Sequence, residues 1–233
     1  MVNIYQVGGS VRDSLLNKKS KDIDYAVEAP AYTDMKQYIL DKGGEIFLET
    51  PGHFTIRAKM SELGSADFVL CRKEYSYSDH RHPDLVEPGT LYDDLSRRDF
   101  TMNAMAIDIK NPMVLIDPFN GQVDVKNKLI RCVGNARDRI LEDPLRLLRA
   151  FRFAVVLDFD IDDEILDVID DTDINIAQLL TTSVSEERVR EELYKMFKFN
   201  TLATFQLLSI YEDLTNSIFS KTKIWLEPTM REK

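Results

Sequence analysis

A mixed α+β first half followed by an all-α second half is the architecture this chain predicts, and three observations predict it. Short runs with a period of two recur up to about residue 130. Beyond the turn Asp117-Pro118-Phe119-Asn120-Gly121, helical periodicity takes over with few strand signals. A hydrophobic content of 44% in 233 residues supplies a buried core for one large domain or two small ones.

Taken in order, residues 4–7, 22–27, 53–59, 66–72 and 104–109 read as strands, and residues 11–16 and 33–42 as helices. Residues 135–156, 162–170, 185–198 and 201–211 read as the helices of the second half. The boundary falls near residue 130, giving parts 1–130 and 131–233, and without a Ser/Gly-rich linker the two are expected to pack as a continuous body. Between strands lies Arg72-Lys73-Glu74-Tyr75-Ser76-Tyr77-Ser78-Asp79-His80-Arg81-His82-Pro83-Asp84, which reads as a long mobile loop suited to gating a site. His80 and His82 lack a third ligand at metal-binding spacing and read as surface histidines.

No stretch approaches the roughly 20 apolar residues of a membrane span, and no charged flank precedes an apolar signal core. Cys71 and Cys132 stand far apart in apolar contexts, the pattern of reduced thiols in a cytoplasmic protein rather than of a disulfide or zinc framework. The net charge of −10 sits poorly with nucleic-acid binding. The excess, however, is local: Asp158, Asp160, Asp162, Asp163, Glu164, Asp167, Asp170, Asp171 and Asp173 carry nine of those charges with no Lys or Arg among them. That run mimics a calcium loop only at its start, since Asp163 stands where Gly is needed and Ile169 where Glu is needed, and it reads as a solvated helix start.

The chemistry-bearing residues come early. Gly8-Gly9-Ser10-Val11-Arg12-Asp13 is followed by Asp22-Ile23-Asp24. On a strand Asp22 and Asp24 leave one face about 6 to 7 Å apart. Two carboxylates so placed repel unless a cation lies between them, and oxygen-only ligands suit Mg²⁺ that also holds phosphates. The glycines allow close backbone approach, with Arg12 directed at anionic oxygens.

With Arg97-Arg98-Asp99-Phe100-Thr101-Met102-Asn103-Ala104, Asp117-Pro118-Phe119 with Gly121 and Asp124, Gly134-Asn135-Ala136, Glu142-Asp143-Pro144-Leu145-Arg146 and Glu187-Arg188-Val189-Arg190-Glu191-Glu192-Leu193, the order of motifs resembles the class II tRNA nucleotidyltransferases. These are the CCA-adding enzymes and bacterial poly(A) polymerases of the polymerase-β-like superfamily. The resemblance implies a polymerase-β-like head, a mixed sheet with helices, followed by a neck-like helical domain that is short at its C-terminal side. It implies a two-metal Mg²⁺ site on Asp22 and Asp24, with Asp67 as a third carboxylate, and ATP and CTP as substrates added to the tRNA 3′ acceptor end. Gly8, Gly9, Ser10, Arg12, Arg98, Asp99 and Asn103 are then expected to contact sugar and phosphates, against the alternative that Arg97 and Arg98 pair with Asp93 and Asp94.

Adenine and cytosine both present an amino donor beside a ring-nitrogen acceptor, so a carboxylate with a guanidinium selects the two together. The resemblance assigns that task to Asp143 and Arg146, three apart at a helix start; the alternative makes Asp143 an N-cap ahead of Pro144. Arg149 and Arg152 continue the face, to hold phosphate or to pair with the downstream acidic run. The segment Gly52-His53-Phe54-Thr55-Ile56-Arg57 lacks the basic signature that the resemblance gives poly(A) polymerases, and the long loop at residues 73–96 is retained where CC-adding relatives are expected to have it shortened; together these favour CCA addition over poly(A) or partial addition. A third reading is a catalytically idle RNA-binding remnant, because relatives continue with further helices. A homodimer or a partner chain is expected to replace them.

Overall fold

The computed structural model describes residues 2–20, 22–75 and 85–222. The chain divides into two compact units, Met1–Ala136 and Arg137–Lys233.

The first unit is built on a seven-stranded mixed sheet. Its elements are β1 (Asn3–Val7), α1 (Gly9–Leu15), β2 (Asp24–Glu28), α2 (Tyr32–Asp41), β3 (Glu45–Thr50), β4 (Thr55–Met60), β5 (Gly64–Leu70), β6 (Arg72–Tyr75), β7 (Leu85–Pro88), α3 (Leu91–Ser96), β8 (Ala106–Asp108), β9 (Leu115–Ile116) and α4 (Gly121–Asn127). The sheet order is β3-β4-β5-β2-β1-β8-β9. β2 and β5 run parallel, and the other neighbours are antiparallel.

Alternation divides the side chains between two faces. Ile4, Tyr25, Val27, Ile56, Ala58, Phe68 and Leu70 bury one face with Met35 and Ile39 of α2, and Tyr25 stacks on Phe68 at 5.2 Å. Val7, Ala26 and Ala106 bury part of the other face with Cys71, Leu91, Leu95 and Val133. On that second face one register row crosses six strands: Ala106, Val7, Asp24, Asp67, Arg57 and Leu48 are successive partners.

Several expected elements are redrawn. Asp22 lies just before β2, not within it, because the strand begins at Asp24. The expected loop at residues 72–84 starts as strand: β6 pairs with β7, and Glu74 ties the hairpin down by accepting from Arg72 at 2.7 Å and meeting Arg97 at 3.4 Å. The rest of that loop, with His80 and His82, lies outside the described residues. β3 went unread because its Ile46-Phe47-Leu48 run sits on a half-exposed edge with a bulge, so no clean alternation reaches the sequence.

The second unit is helical: α5 (Ala136–Glu142), α6 (Leu145–Leu157), α7 (Asp163–Asp170), α8 (Ile176–Ser183), α9 (Glu186–Phe199), α10 (Thr201–Ile210) and α11 (Glu212–Thr222). Residues 135–156 form two helices rather than one, since Pro144 has no N–H to continue the ladder. α6 packs on α9, burying Leu147, Leu148 and Phe151 with Val189, Leu193 and Met196, and Tyr211 stacks on Phe151 at 5.2 Å. Among the described residues no helix is long and apolar enough to cross a membrane.

Gly121 marks the tightest approach in the first unit. A Cβ there would lie 2.1 Å from the Thr101 carbonyl oxygen, in a turn closed by Thr101 donating to buried Asp124 at 2.6 Å. Gly121→Ala is therefore expected to destabilise the fold by about 3 kcal/mol, the upper end of ordinary overpacking, as read by urea denaturation. A wild-type midpoint would disprove the contact. Both cysteines are free and buried. Burial first, then the charges of Asp94 and Glu28, push the Cys71 thiol up. Neither thiol is expected to react with a thiol reagent until the chain unfolds; rapid native labelling of either would contradict the packing.

Candidate active site

The register row explains how distant residues meet. Asp24 opens β2 beside the end of β1, where the chain turns through Gly8 into α1. Asp67 of β5 is the direct partner of Asp24 across the parallel pair, one strand spacing away, about 4.8 Å. Arg57 of β4 is the next partner and grips Asp67 in a fork, with Nε to Oδ1 and Nη2 to Oδ2 both at 2.7 Å. Asp22, Asp24, Phe47, Arg57 and Asp67 line a cavity of about 470 Å³.

The electrostatics follow from that crowding. Two unit charges about 5 Å apart repel by roughly 3 kcal/mol at an effective dielectric near 20. Asp24 is open to solvent at the start of β2, yet partial desolvation within the cavity, and then the charges of Asp67 and Asp22, hold its carboxyl above the ordinary range against the pull of Arg98 and Arg57. The Arg57 fork offsets little of this. Its side chain is 57% exposed, and solvent screens such a pair. Among the described residues no three His, Cys, Asp or Glu side chains form a group able to hold a metal. The donor set on offer is Asp22 and Asp24, oxygen-only and short of positive charge. It fits a Mg²⁺ ion that keeps several waters and shares substrate phosphates.

Beside the carboxylates stands a network of polar side chains. Arg12 is buried, donating to Asn103 Oδ1 at 2.8 Å and to Asp13 Oδ1 at 2.7 Å. Asn103 Nδ2 in turn donates to Asp99 Oδ1 at 3.1 Å, and that oxygen also accepts from the Phe100 amide at 2.8 Å. Ser10 is buried and donates to the Val7 carbonyl at 3.1 Å. Arg98 donates to the Asn103 carbonyl at 3.3 Å and covers Gly8 so closely that a Cβ there would stand 3.0 Å from Nη1. Gly8 also has φ of 72° and ψ of −139°, a conformation that favours glycine at this turn. Gly9 follows as the first residue of α1. Asp94, wholly buried, binds Arg97 and Arg98 at 2.5 and 2.9 Å. Burial raises its carboxyl, but the two guanidiniums outweigh burial and hold it below the ordinary range. Asp93 instead closes a capping box with Thr90. The expected competitor for the arginines is thus Asp94 alone, and Arg98 keeps its place beside Gly8 while paired.

The second unit holds the other expected residues. Asp143 accepts from the Leu145 amide at 3.2 Å and from Arg188 Nη2 at 2.7 Å. Arg146 donates to the Arg139 carbonyl at 2.6 Å and to Glu142 at 2.8 Å, so it does not pair with Asp143. Arg149 and Arg152 both reach Glu192 of α9, at 4.0 and 2.5 Å. Arg152 also stacks 3.9 Å above the Phe153 ring. Sequence reasoning assigned no individual role to Arg57, Phe47 or Glu192 and did not pair Arg188 with Asp143. Arg57 was quoted only for a missing signature, although its place ten residues before Asp67 across a tight turn is the signal that could have found it.

A family model described as the poly(A) polymerase head domain matches residues 4–131. A CCA-adding enzyme of Enterococcus faecalis is 39% identical over 193 residues, covering 82% of this chain and 44% of the relative. The crystal structure of the Bacillus stearothermophilus CCA-adding enzyme in complex with CTP aligns with a TM-score of 0.74 at 30% identity, over 90% of this chain and 48% of that one. A tRNA nucleotidyltransferase complexed with a primer tRNA and an incoming ATP analog aligns with a TM-score of 0.72 at 29% identity, over 99% and 61%. The chain spans about half the length of the curated relatives it matches. With the motif order, the mixed sheet and the clustered carboxylates in hand, the chain belongs to the family of the poly(A) polymerase head domain, the class II tRNA nucleotidyltransferases.

Proposed function

We propose that this chain adds CMP and AMP to tRNA 3′ ends, building CCA from CTP and ATP without a template. The first unit is the catalytic head, and the second is the neck-like part that reads the base and contacts RNA. The observation that carries the reading is the row in which Asp24 and Asp67 stand side by side on neighbouring strands next to the Gly8 turn.

Asp22 and Asp24 hold the divalent ions in this reading. Bound there, a pair of Mg²⁺ ions would supply charge neutralisation for the triphosphate and activation of the RNA 3′ hydroxyl. The chain's own groups position the reactants. Gly8 and Gly9 let the backbone approach the phosphates, and Arg98 presents a cation above that turn. Arg12, Asn103 and Asp99 spend hydrogen bonds on one another and so fix the loop that carries Arg98. The RNA 3′ hydroxyl then gives up its proton to solvent as its oxygen bonds the α-phosphorus, the bridge to the β-phosphate breaks, and pyrophosphate leaves.

In the second unit Asp143, held in place by Arg188, accepts from the exocyclic amino group of adenine or cytosine, while Arg146 donates to the neighbouring ring nitrogen. Arg149 and Arg152, oriented by Glu192, extend a cationic face toward phosphate. The CCA reading over poly(A) addition is supported by the relatives' names and by the segment around His53 and Arg57. The deciding assay is incorporation into tRNA ending in the discriminator base, in C and in CC, beside an oligo(A) primer. Extension of oligo(A) in preference to tRNA would overturn the reading.

Asp24→Asn is expected to lower incorporation more than about a hundredfold by removing a metal ligand. Its thermal midpoint should be unchanged or higher, because the carboxylate it replaces is repelled by Asp67. Turnover near wild type would remove Asp24 from the metal site. Asp143→Asn replaces one of the two acceptor oxygens with an NH2 donor and removes the charge, so the preference for ATP and CTP over GTP and UTP should fall by about tenfold or more in kcat/KM. Unaltered selectivity would leave Asp143 as part of the helix start alone.

A further inference from the structure

We propose that Arg57 is a resident counter-ion that holds Asp67 out of the metal-binding set in the substrate-free protein and yields it to a divalent cation. This rests on the reading of Asp22 and Asp24 as cation ligands, and it names the residue that decides whether two or three carboxylates serve.

Distance does not keep Asp67 from the set, since Asp67 is the direct strand partner of Asp24 and lines the same cavity. Its engagement does. Both carboxylate oxygens are taken by the Arg57 fork at 2.7 Å, and among the described residues no three acidic, His or Cys side chains form a metal-holding group. The clamp is also one that can open. Arg57 is 57% exposed against 27% for Asp67, so exchange disturbs no packed core. A second cavity of about 240 Å³, lined by Leu48, Thr50, His53 and Thr55, borders the same pair and gives the guanidinium a place to turn. A divalent cation brings two charges to a cluster of three carboxylates where Arg57 brings one, so the exchange favours the cation once it is bound to Asp22 and Asp24.

The test uses Mn²⁺ alone, without nucleotide or RNA, titrated calorimetrically into the full chain and its variants, with circular dichroism as the check on folding. Arg57→Met is expected to tighten Mn²⁺ binding about fivefold, the upper end of what an exposed ion pair is worth. In the Asp67→Asn background the same change should give no gain. Arg57→Lys keeps the charge but loses the fork, so it should show part of the gain. An equal gain with and without Asp67 would overturn the proposal, as the effect would then be loss of a nearby positive charge. Unchanged or weaker binding in Arg57→Met would overturn it as well. If the wild type binds Mn²⁺ no better than Asp24→Asn does, the cation reading fails first and the clamp falls with it.

Discussion

The repulsion between Asp24 and Asp67 is the constraint on which the rest of the first unit turns. Carboxylates one strand spacing apart are held together only because the opposite face of the same two strands is locked by buried Tyr25, Phe68, Ile56 and Leu70. Hydrophobic burial is worth about 1.5–3 kcal/mol for each large side chain, so a few such residues outweigh the roughly 3 kcal/mol of repulsion. A register slip of one residue would exchange the faces, exposing Phe68 and burying Asp67. The apolar core therefore sets the position of the charges. Their unfavourable proximity is what the proposed cation would relieve.

A second device recurs in both units: a buried acid orders arginines. Asp94 holds Arg97 and Arg98, and Glu192, only 3% exposed, holds Arg152 and Arg149 with Lys195 at 3.3 Å. Buried ion pairs add little net stability, because desolvation consumes most of the attraction. What they supply is direction. Each guanidinium keeps its planar fork anchored on one side and is presented in a fixed orientation, which a flexible surface arginine could not be without losing rotamer entropy.

Local motifs were legible in the sequence, and partnerships were not. The Asp22-x-Asp24 spacing, the Gly8-Gly9 turn and the change from strands to helices were all readable, because each depends on residues close along the chain. Asp67 was reachable only through the resemblance. The register that makes it the neighbour of Asp24 is set by packing of the β3-β4-β5 meander, which no short window encodes. The same holds for Arg188 on Asp143 and Glu192 on Arg152, separated by 45 and 40 residues. The break at Pro144 shows the reverse. Its physics is local, yet the apolar periodicity on both sides runs through it and hides the interruption.

The acidic charge of the chain is compatible with an RNA substrate once its members are placed. Asp162 caps α7 by accepting from the Glu164 amide at 3.0 Å, and Asp171 pairs with Arg137 at 3.0 Å. Part of the run is thus engaged in starting a helix and in holding a neighbouring cation. Phosphate contacts act over about a Debye length, roughly 8 Å at physiological salt, so affinity depends on the charges within that reach and not on the sum over 233 residues. The cations that the reading requires stand on other elements. Arg98 follows α3 and covers Gly8, and Arg146, Arg149 and Arg152 rise along α6, each beside a carboxylate, with Glu192 shared by the last two. A guanidinium so paired can still donate to a phosphate through its remaining N–H groups, since arginine has five donors and one carboxylate occupies at most two. On the proposed reading, the pairing would temper the attraction for RNA while preserving its geometry.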